Sequence, residues 1–327
     1  MLFRSNLISE LTDWVKPFFP EKYSIDSASA DASFRSYFRV TSSEKTNIIM
    51  VAPPEHEPIS SFLDITQRLF KAKINIPKIY KINQSRGLIL MSDLGNDKYL
   101  DILTKETLYC LYTDAIDCIC KMQNEVDTIG LEKFNKSEQM NEMKLFDEWY
   151  LRKHLNINLT DKQLSELYQC YEEIYNIVSK IPKSFVHRDF HSRNLMVTSK
   201  SNPGVLDYQD AIIGPITYDL VSLLKDCYIA WDDEIVYSMT SSFFAKIEKN
   251  HNIVYEEFEY WFDVTGLQRH LKAIGIFSRL NYRDNKPNYL DDIPRTFNYI
   301  KNTLSKYSEL SEVKRVFSEI NLDNIYD

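Results

Sequence analysis

His187-Arg188-Asp189-Phe190-His191-Ser192-Arg193-Asn194, followed by Val205-Leu206-Asp207-Tyr208-Gln209-Asp210, is the stretch on which the reading of this chain turns. Asn194 stands five residues after Asp189, and Asp207 stands 18 residues after it behind two apolar residues. Transfer of a phosphoryl group needs little covalent help. It needs an acceptor hydroxyl aligned with a base and the charge on the γ-phosphate neutralised. A loop-borne carboxylate meets the first need, and a magnesium ion held by carboxylate and amide oxygens meets the second. The expected roles are therefore Asp189 as base, Asn194 and Asp207 as metal ligands, and His187 as an orienting side chain bonded to nearby backbone or carboxylate. A charged loop with helix caps at Asp189 and Asn194 would explain the polar residues but not the second, correctly spaced Asp.

Outward from this stretch, short β-prone pieces (185–186, 195–197 and 205–206) interrupt a series of helical periodicities at 106–123, 138–154, 161–180, 218–231, 233–248, 256–279 and 295–307. The first hundred residues differ. An amphipathic helix over 2–14 is followed by β-prone runs at 36–40 and 47–52 across the polar turn 42–46, which predicts a hairpin. Pro53 and Pro54 stop the second run, and Ile59, Phe62, Leu63, Ile65, Leu69 and Phe70 then recur at helical spacing. Runs at 78–82 and 87–91 predict another hairpin. The fold class expected is α+β, a small antiparallel sheet in an N-terminal lobe (1–95) joined near 93–97 to a mostly helical C-terminal lobe (96–327).

Composition narrows the function. The chain has 327 residues, 44% hydrophobic and 13% aromatic, which is a globular balance. A net charge of −8 argues against nucleic acid or an anionic membrane as the partner. Residues 1–15 carry too many polar side chains for a signal peptide and no run reaches 18 apolar residues, so a cytoplasmic, monomeric protein is expected. Cys110, Cys118, Cys120, Cys170 and Cys227 form no CxxC pair and are expected as reduced core residues. Seven glycines supply neither GxGxxG nor GxxxxGK[ST], which disfavours Rossmann dehydrogenases and Walker-type NTPases.

The His187–Asn194 and Asp207 pattern matches the catalytic loop and metal-binding Asp of the protein-kinase-like phosphotransferases. Further segments narrow the match: Ala32 through Arg39 (ASFRSYFR), Leu90-Met91-Ser92-Asp93-Leu94-Gly95, Glu148-Trp149-Tyr150, Gly214 through Leu220 (GPITYDL), and Gln268 through Leu280 (QRHLKAIGIFSRL). In these the chain resembles the aminoglycoside phosphotransferase and choline kinase group, and within it the bacterial anomeric kinases of N-acetylmuramate and N-acetylglucosamine. The resemblance implies a two-lobed protein-kinase-like fold, ATP and Mg²⁺ as cosubstrates, a sugar bound on the helical lobe and a part in peptidoglycan sugar salvage. It implies nucleotide contacts from Ser33, Phe34, Arg35, Arg39, Met91, Asp93 and Leu94.

One departure stands out. Kinases place a Lys on the third strand to hold the α- and β-phosphates, and the matching run Asn47-Ile48-Ile49-Met50-Val51-Ala52 has none. Arg35 or Arg39 is expected to take over that contact, a guanidinium being suited to phosphate oxygens; the alternative is that both are solvated strand residues. On the acceptor side the expected residues are Tyr150, Arg193, Asp210, Arg269, Lys272 and Arg279. Either Trp149 or Tyr150 packs in the core while the other stacks on a sugar. Arg269, Lys272, Arg279 and Arg283 share one arc, which reads either as an ordinary solvent face or as a cationic wall for phosphate or a substrate carboxylate. Asp219, at the head of an apolar helix, reads as structural; Asp210 is either a site residue or an exposed turn acid. Competing functions are transfer to an aminoglycoside, choline or another small alcohol, and a catalytically silent kinase-like binding protein.

Overall fold

A computed structural model describes residues 2–19, 21–29, 35–55, 58–322 and 325. In chain order the N-terminal part holds α1 (Leu2–Val15), β1 (Tyr23–Ser29), β2 (Ser36–Ser42), β3 (Thr46–Val51), α2 (Ser60–Lys71), β4 (Ile79–Asn83) and β5 (Leu88–Ser92). The five strands form one antiparallel sheet in the order β1-β2-β3-β5-β4. Alternation sorts its faces. Phe38, Val40, Ile49, Leu88 and Leu90 pack on Leu11, Trp14 and Val15 of α1. Met50, Ile89 and Met91, on the other face, pack with Phe62, Ile65 and Leu69 of α2. Both expected hairpins are present. Gly87 closes the second at φ 62, where a Cβ would lie 1.7 Å from the Ala52 carbonyl oxygen, so the position excludes any side chain.

The helical part comprises α3 (Tyr99–Ile102), α4 (Leu108–Glu125), α5 (Lys136–Leu145), a π-helical segment (Phe146–His154), α6 (Asp161–Val178), α7 (Tyr218–Leu224), α8 (Asp233–His251), α9 (Tyr255–Asp284), α10 (Ile293–Lys306) and α11 (Ser311–Glu319). Two short ladders, β6 (Lys183–Val186) with β9 (Ile212–Pro215) and β7 (Leu195–Met196) with β8 (Gly204–Val205), frame the chemical loops. The 30-residue α9 is the axis against which α5, the π segment, α6, α7 and α10 pack. Where it crosses α5, a Cβ on Gly275 would lie 2.4 Å from the Leu145 carbonyl carbon, so only glycine allows this approach.

Four expectations need correction. The periodicity at 138–154 is not one α-helix: it changes to π geometry at Phe146, beside the close crossing with Gly275. The helix expected over 218–231 ends at Leu224, after which Lys225 leaves helical geometry and the chain turns back toward the catalytic loop. The cysteines are all free, but Cys110 is exposed and Cys118 and Cys120 half-buried, because α4 turns them away from its apolar face. Finally, β1, β9, α3 and α11 lie outside the expected elements.

The largest core cluster runs from Met50 and Ile89 of the sheet to Phe258 and Ile300 of the helices. The division we propose at residues 95 and 96 is thus a change of secondary-structure type over a shared core. Between the two, Val205 N donates to Asn75 O at 2.8 Å, and Gly204 leaves room for the Leu94 side chain.

Candidate active site

The loop from His187 to Asn194 is shaped by groups that satisfy its backbone. Asp219, at the first turn of α7, accepts from the N–H of His187 at 2.7 Å and of Arg188 at 3.0 Å. Asp226 accepts from the N–H of Ser192 and of Tyr228, each at 2.9 Å. The buried His187 ring donates from Nε2 to Leu206 O at 3.0 Å and accepts the Asp189 N–H on Nδ1 at 3.2 Å. Burial pushes this imidazole down to about 4, which keeps it neutral and fixes that tautomer. The ring thus links the backbone of Asp189 to that of Leu206, the residue before Asp207.

Arg188 adopts φ 82, in the left-handed region that a side-chain-bearing residue rarely enters. Its guanidinium is held by Glu138 at 2.8 Å and by Glu142. Glu142, on α5, also accepts from Lys272 at 2.9 Å and from Gln268 at 3.0 Å. Burial alone would raise this carboxyl; Lys272 and then Arg188 reverse that and hold it below the usual carboxylate range.

Asp189 makes no side-chain hydrogen bond among the described residues, so both oxygens remain available. Burial favours its neutral form, but Lys272 first and then His191, Arg269 and His187 outweigh it and hold the carboxyl low. Asn194 donates to Asp189 O at 3.1 Å and to Asp207 Oδ2 at 3.4 Å, bringing the two expected metal ligands together. Asp207, at φ 61, also accepts from Gln209 at 2.9 Å. Solvent still reaches it, yet desolvation and next the Asp189 charge push it up to about 6, against Gln209 and Arg35. An Asp207 carboxyl raised by the neighbouring Asp189 charge is the situation a divalent cation relieves, so the donor set fits Mg²⁺. Among the described residues no group of three or more His, Cys, Asp or Glu side chains could hold a metal, so such an ion would rest on Asp207, the Asn194 amide oxygen and phosphate. The loop at 206–210 is moored to α2: Tyr208 stacks on Phe62 at 5.0 Å and meets Thr66 Oγ1 at 3.0 Å, and Ser61 donates to Gln209 O at 2.8 Å.

The structure separates the two arginines offered for the phosphates. Arg39 reaches the hinge, with Nε 2.6 Å from Asp93 Oδ2 and further bonds to Asn96 and Gly95 O. Asp93 and Arg39 therefore face each other, with Met91 buried and Leu94 half-buried beside them. Arg35 instead lies where its charge acts on Asp207. Ser33 and Phe34 lie outside the described residues.

On the acceptor side, Tyr150 is fully buried against Phe146, His154 and Phe297, which excludes it from stacking on a sugar; of the pair, Trp149 is the half-exposed one. The arc on α9 is not a solvent face. Arg269 is 7% exposed and Lys272 is bound to Glu142; Arg283 alone is exposed, paired with Asp284. Of the two readings of the arc, the solvent face fails because α9 is covered on several sides. Arg279 lines a 510 Å³ cavity with Glu132, Glu138 and Glu142, the last two of which also hold Arg188 of the catalytic loop. Asp210 is an exposed turn acid 3.4 Å from Gln209 Nε2. Arg193 lies over the Tyr228 ring at 3.8 Å and near Tyr289 at 5.3 Å. Asp226, Tyr228, Tyr289 and Glu142 were absent from the sequence reading; the one local signal was the Glu138/Glu142 spacing, which puts both acids on one face of α5.

Comparison with known proteins agrees with this geometry. The model of the phosphotransferase enzyme family matches residues 24–243. An N-acetylmuramate/N-acetylglucosamine kinase of Pseudomonas putida is 38% identical over 91% of this chain and 88% of the relative. Its namesake in Neisseria meningitidis serogroup B is 36% identical over 95% of both. Among solved structures, the ADP-bound aminoglycoside phosphotransferase APH(2'')-Ib superposes with a TM-score of 0.60 at 18% identity, over 90% of this chain and 98% of that one. The choline kinase LicA of Streptococcus pneumoniae does so with 0.63 at 8% identity, over 91% and 99%. With two lobes, a loop-borne carboxylate left open and a second Asp beside it, this chain belongs to the phosphotransferase enzyme family.

Proposed function

We propose that the chain transfers the γ-phosphoryl group of ATP to the anomeric hydroxyl of N-acetylmuramate or N-acetylglucosamine, giving the sugar 1-phosphate for cell-wall sugar salvage in the cytoplasm. The sequence kinship to kinases of those sugars supports the acceptor class. The observation that carries it against cationic acceptors is the sign of charge around Asp189. Lys272 and Arg269 act on it and the buried His191 ring beside it is held toward its neutral form, while Asp226, Glu138 and Glu142 are already occupied by N–H groups of the protein. An aminoglycoside or choline would meet repulsion there.

In this reading Asp189 accepts the acceptor's proton as the loose transition state forms, and an anomeric hydroxyl, more acidic than other sugar hydroxyls, suits so weak a base. Neutral His187 holds Asp189 in place through its backbone N–H. Asn194 and Asp207 would hold Mg²⁺, which when bound neutralises phosphate charge, and Arg35 adds a cation from the sheet. Asp93, Met91 and Leu94 would line the adenine side of the hinge. Among the described residues no helix is long and apolar enough to cross a membrane.

The test is phosphorus NMR of the product. Free N-acetylated amino sugar is expected to give a 1-phosphate, and its methyl glycoside no product. Phosphorylation of the methyl glycoside at the same rate would move the site of attack to another hydroxyl, and turnover of an aminoglycoside alone would move the function to that class.

A further inference from the structure

Arg269 is a buried cation of this site that no carboxylate of the described residues reaches within ion-pair distance; Asp226 and Asp189 act on it only from further off. It sits in the middle of α9 with 7% of its surface exposed. Its one hydrogen bond is from Nη1 to Cys227 Sγ at 3.6 Å, a weak acceptor, and among the described residues no carboxylate lies within ion-pair distance. The nearby acids are otherwise engaged. Both Asp226 oxygens take backbone N–H groups, and Glu142 takes Arg188, Lys272 and Gln268. Other cations nearby have partners, Lys272 and Arg188 in Glu142, Arg283 in Asp284, Arg295 in Asp292 and Cys227 O, Arg193 in two tyrosine rings; Arg279, whose Nε is also buried without a partner, stands ten residues further along α9. Next to Arg269, the Nδ1 of His191 is also buried without a partner. A guanidinium withdrawn from water with unused N–H donors and no anion in direct contact can take one from a ligand.

The position says which one. Arg35 acts beside Asp207, on the side of the phosphates, whereas Arg269 rests on Cys227, whose neighbours Asp226 and Tyr228 meet Ser192 and His191 of the loop that carries Asp189. We infer that Arg269 binds a carboxylate on the acceptor and so sets the preference for an acidic N-acetylated amino sugar over its neutral counterpart. The inference rests on the amino-sugar kinase reading above and adds to it the residue that tells the two sugars apart.

The experiment compares kcat/KM for N-acetylmuramate, its methyl ester and N-acetylglucosamine in the wild-type enzyme and in Arg269→Met, Arg269→Gln and Arg269→Lys. Charge-assisted hydrogen bonds are worth about 1.5–3 kcal/mol, or about 10- to 100-fold. In Arg269→Met and Arg269→Gln the ratio of acidic to neutral sugar should fall by about that factor, and in Arg269→Lys by less. Wild-type enzyme should lose a similar factor on going from acid to ester, and the Met variant should not distinguish them. The ester comparison needs no variant, so it decides even if a substitution fails to fold. A ratio unchanged in the variants, with both sugars slowed equally, would overturn the inference and give Arg269 to the transferred phosphoryl group. Equal use of acid and ester by the wild type would overturn it as well. A wild type that phosphorylates neither sugar would overturn the amino-sugar reading itself, and the inference with it.

Discussion

Two sets of acids stand close together on the helical lobe, and they differ in what their oxygens touch. Asp219, Asp226, Glu142 and Asp263 are saturated. Asp219 and Asp226 take backbone N–H groups, Glu142 takes two cations and an amide, and Asp263 takes Lys225 at 2.6 Å, Lys306 at 2.8 Å and Tyr307 at 2.6 Å. Asp189 is left open, and Asp207 has one close partner in Gln209 and a longer contact to Asn194. The saturated acids hold the loop in shape; the open ones have capacity for a hydrogen on its way out and for a cation. The difference teaches that the framework acids are the buried, saturated ones, while the acids open to chemistry reach solvent and keep unused acceptor capacity.

Substitutions should divide along the same line. The largest effect belongs to Asp207→Ala, which should abolish turnover at any practical magnesium concentration, while Asp189→Asn should lower kcat by about 10²- to 10⁴-fold with nucleotide binding retained. Steady-state rates with titration of a fluorescent nucleotide check both, and near-normal turnover in either would break the comparison. Glu142→Ala should instead appear as stability, because it strands Arg188 and Lys272 without an anion: about 3–5 kcal/mol lost in urea unfolding. A loss below about 1 kcal/mol would show that this acid is not a framework group.

The two arginines sharpen the contrast at smaller scale. Arg35→Ala should raise the KM for ATP by about tenfold, the loss of one charge-assisted contact. Arg39→Ala should change it less and lower Tm, since its guanidinium is bound to Asp93 and the hinge. The reverse order would exchange their roles. The smallest effect is one of pH. Asp147, buried beside Tyr168 and Tyr171, is pushed up to about 6, chiefly by desolvation. Its folded value lies above its unfolded one, so its contribution is complete below pH about 4 and fades as pH rises through about 6. Relative to Asp147→Asn, wild-type stability should fall across that window; a flat difference would remove the assignment.

Much of this arrangement was legible in the chain because it is local. His187, Asp189, Asn194 and Asp207 lie within 21 residues, and their spacing alone brings them together. The hairpins of the sheet announced themselves by alternation and by Pro53, Pro54 and Gly87. What was hidden depends on distant packing. Tyr-Ser-Ile-Asp-Ser-Ala-Ser of β1 carries no apolar run, because an edge strand lacks a second neighbour and its surface here is largely open. Asp226 and Tyr228 were absorbed into an apolar stretch that reads as one helix, and only the tertiary structure shows it broken at Lys225. The arc of Arg269 and Lys272 looks the same in sequence whether it faces solvent or a buried carboxylate, and the identity of the central helix decides which. Tyr150 likewise joined the core because the π segment points it at Phe146 and Phe297.

Gly275 bears on how this enzyme could be altered by selection. A single methyl group there would force α9 from the backbone of Leu145, the last residue of the helix that carries Glu142. Glu142 grips Arg188 and Lys272, so the disturbance would arrive at Asp189 from a position that touches neither nucleotide nor sugar. Libraries aimed at a wider acceptor range should therefore hold residue 275 fixed and vary the wall around Tyr228 and Tyr289. A variant that nonetheless accumulates changes at 275 should carry a compensating smaller residue or a shifted helix on the α5 side, a paired inheritance that deep mutational scanning would display as strong epistasis between the two helices.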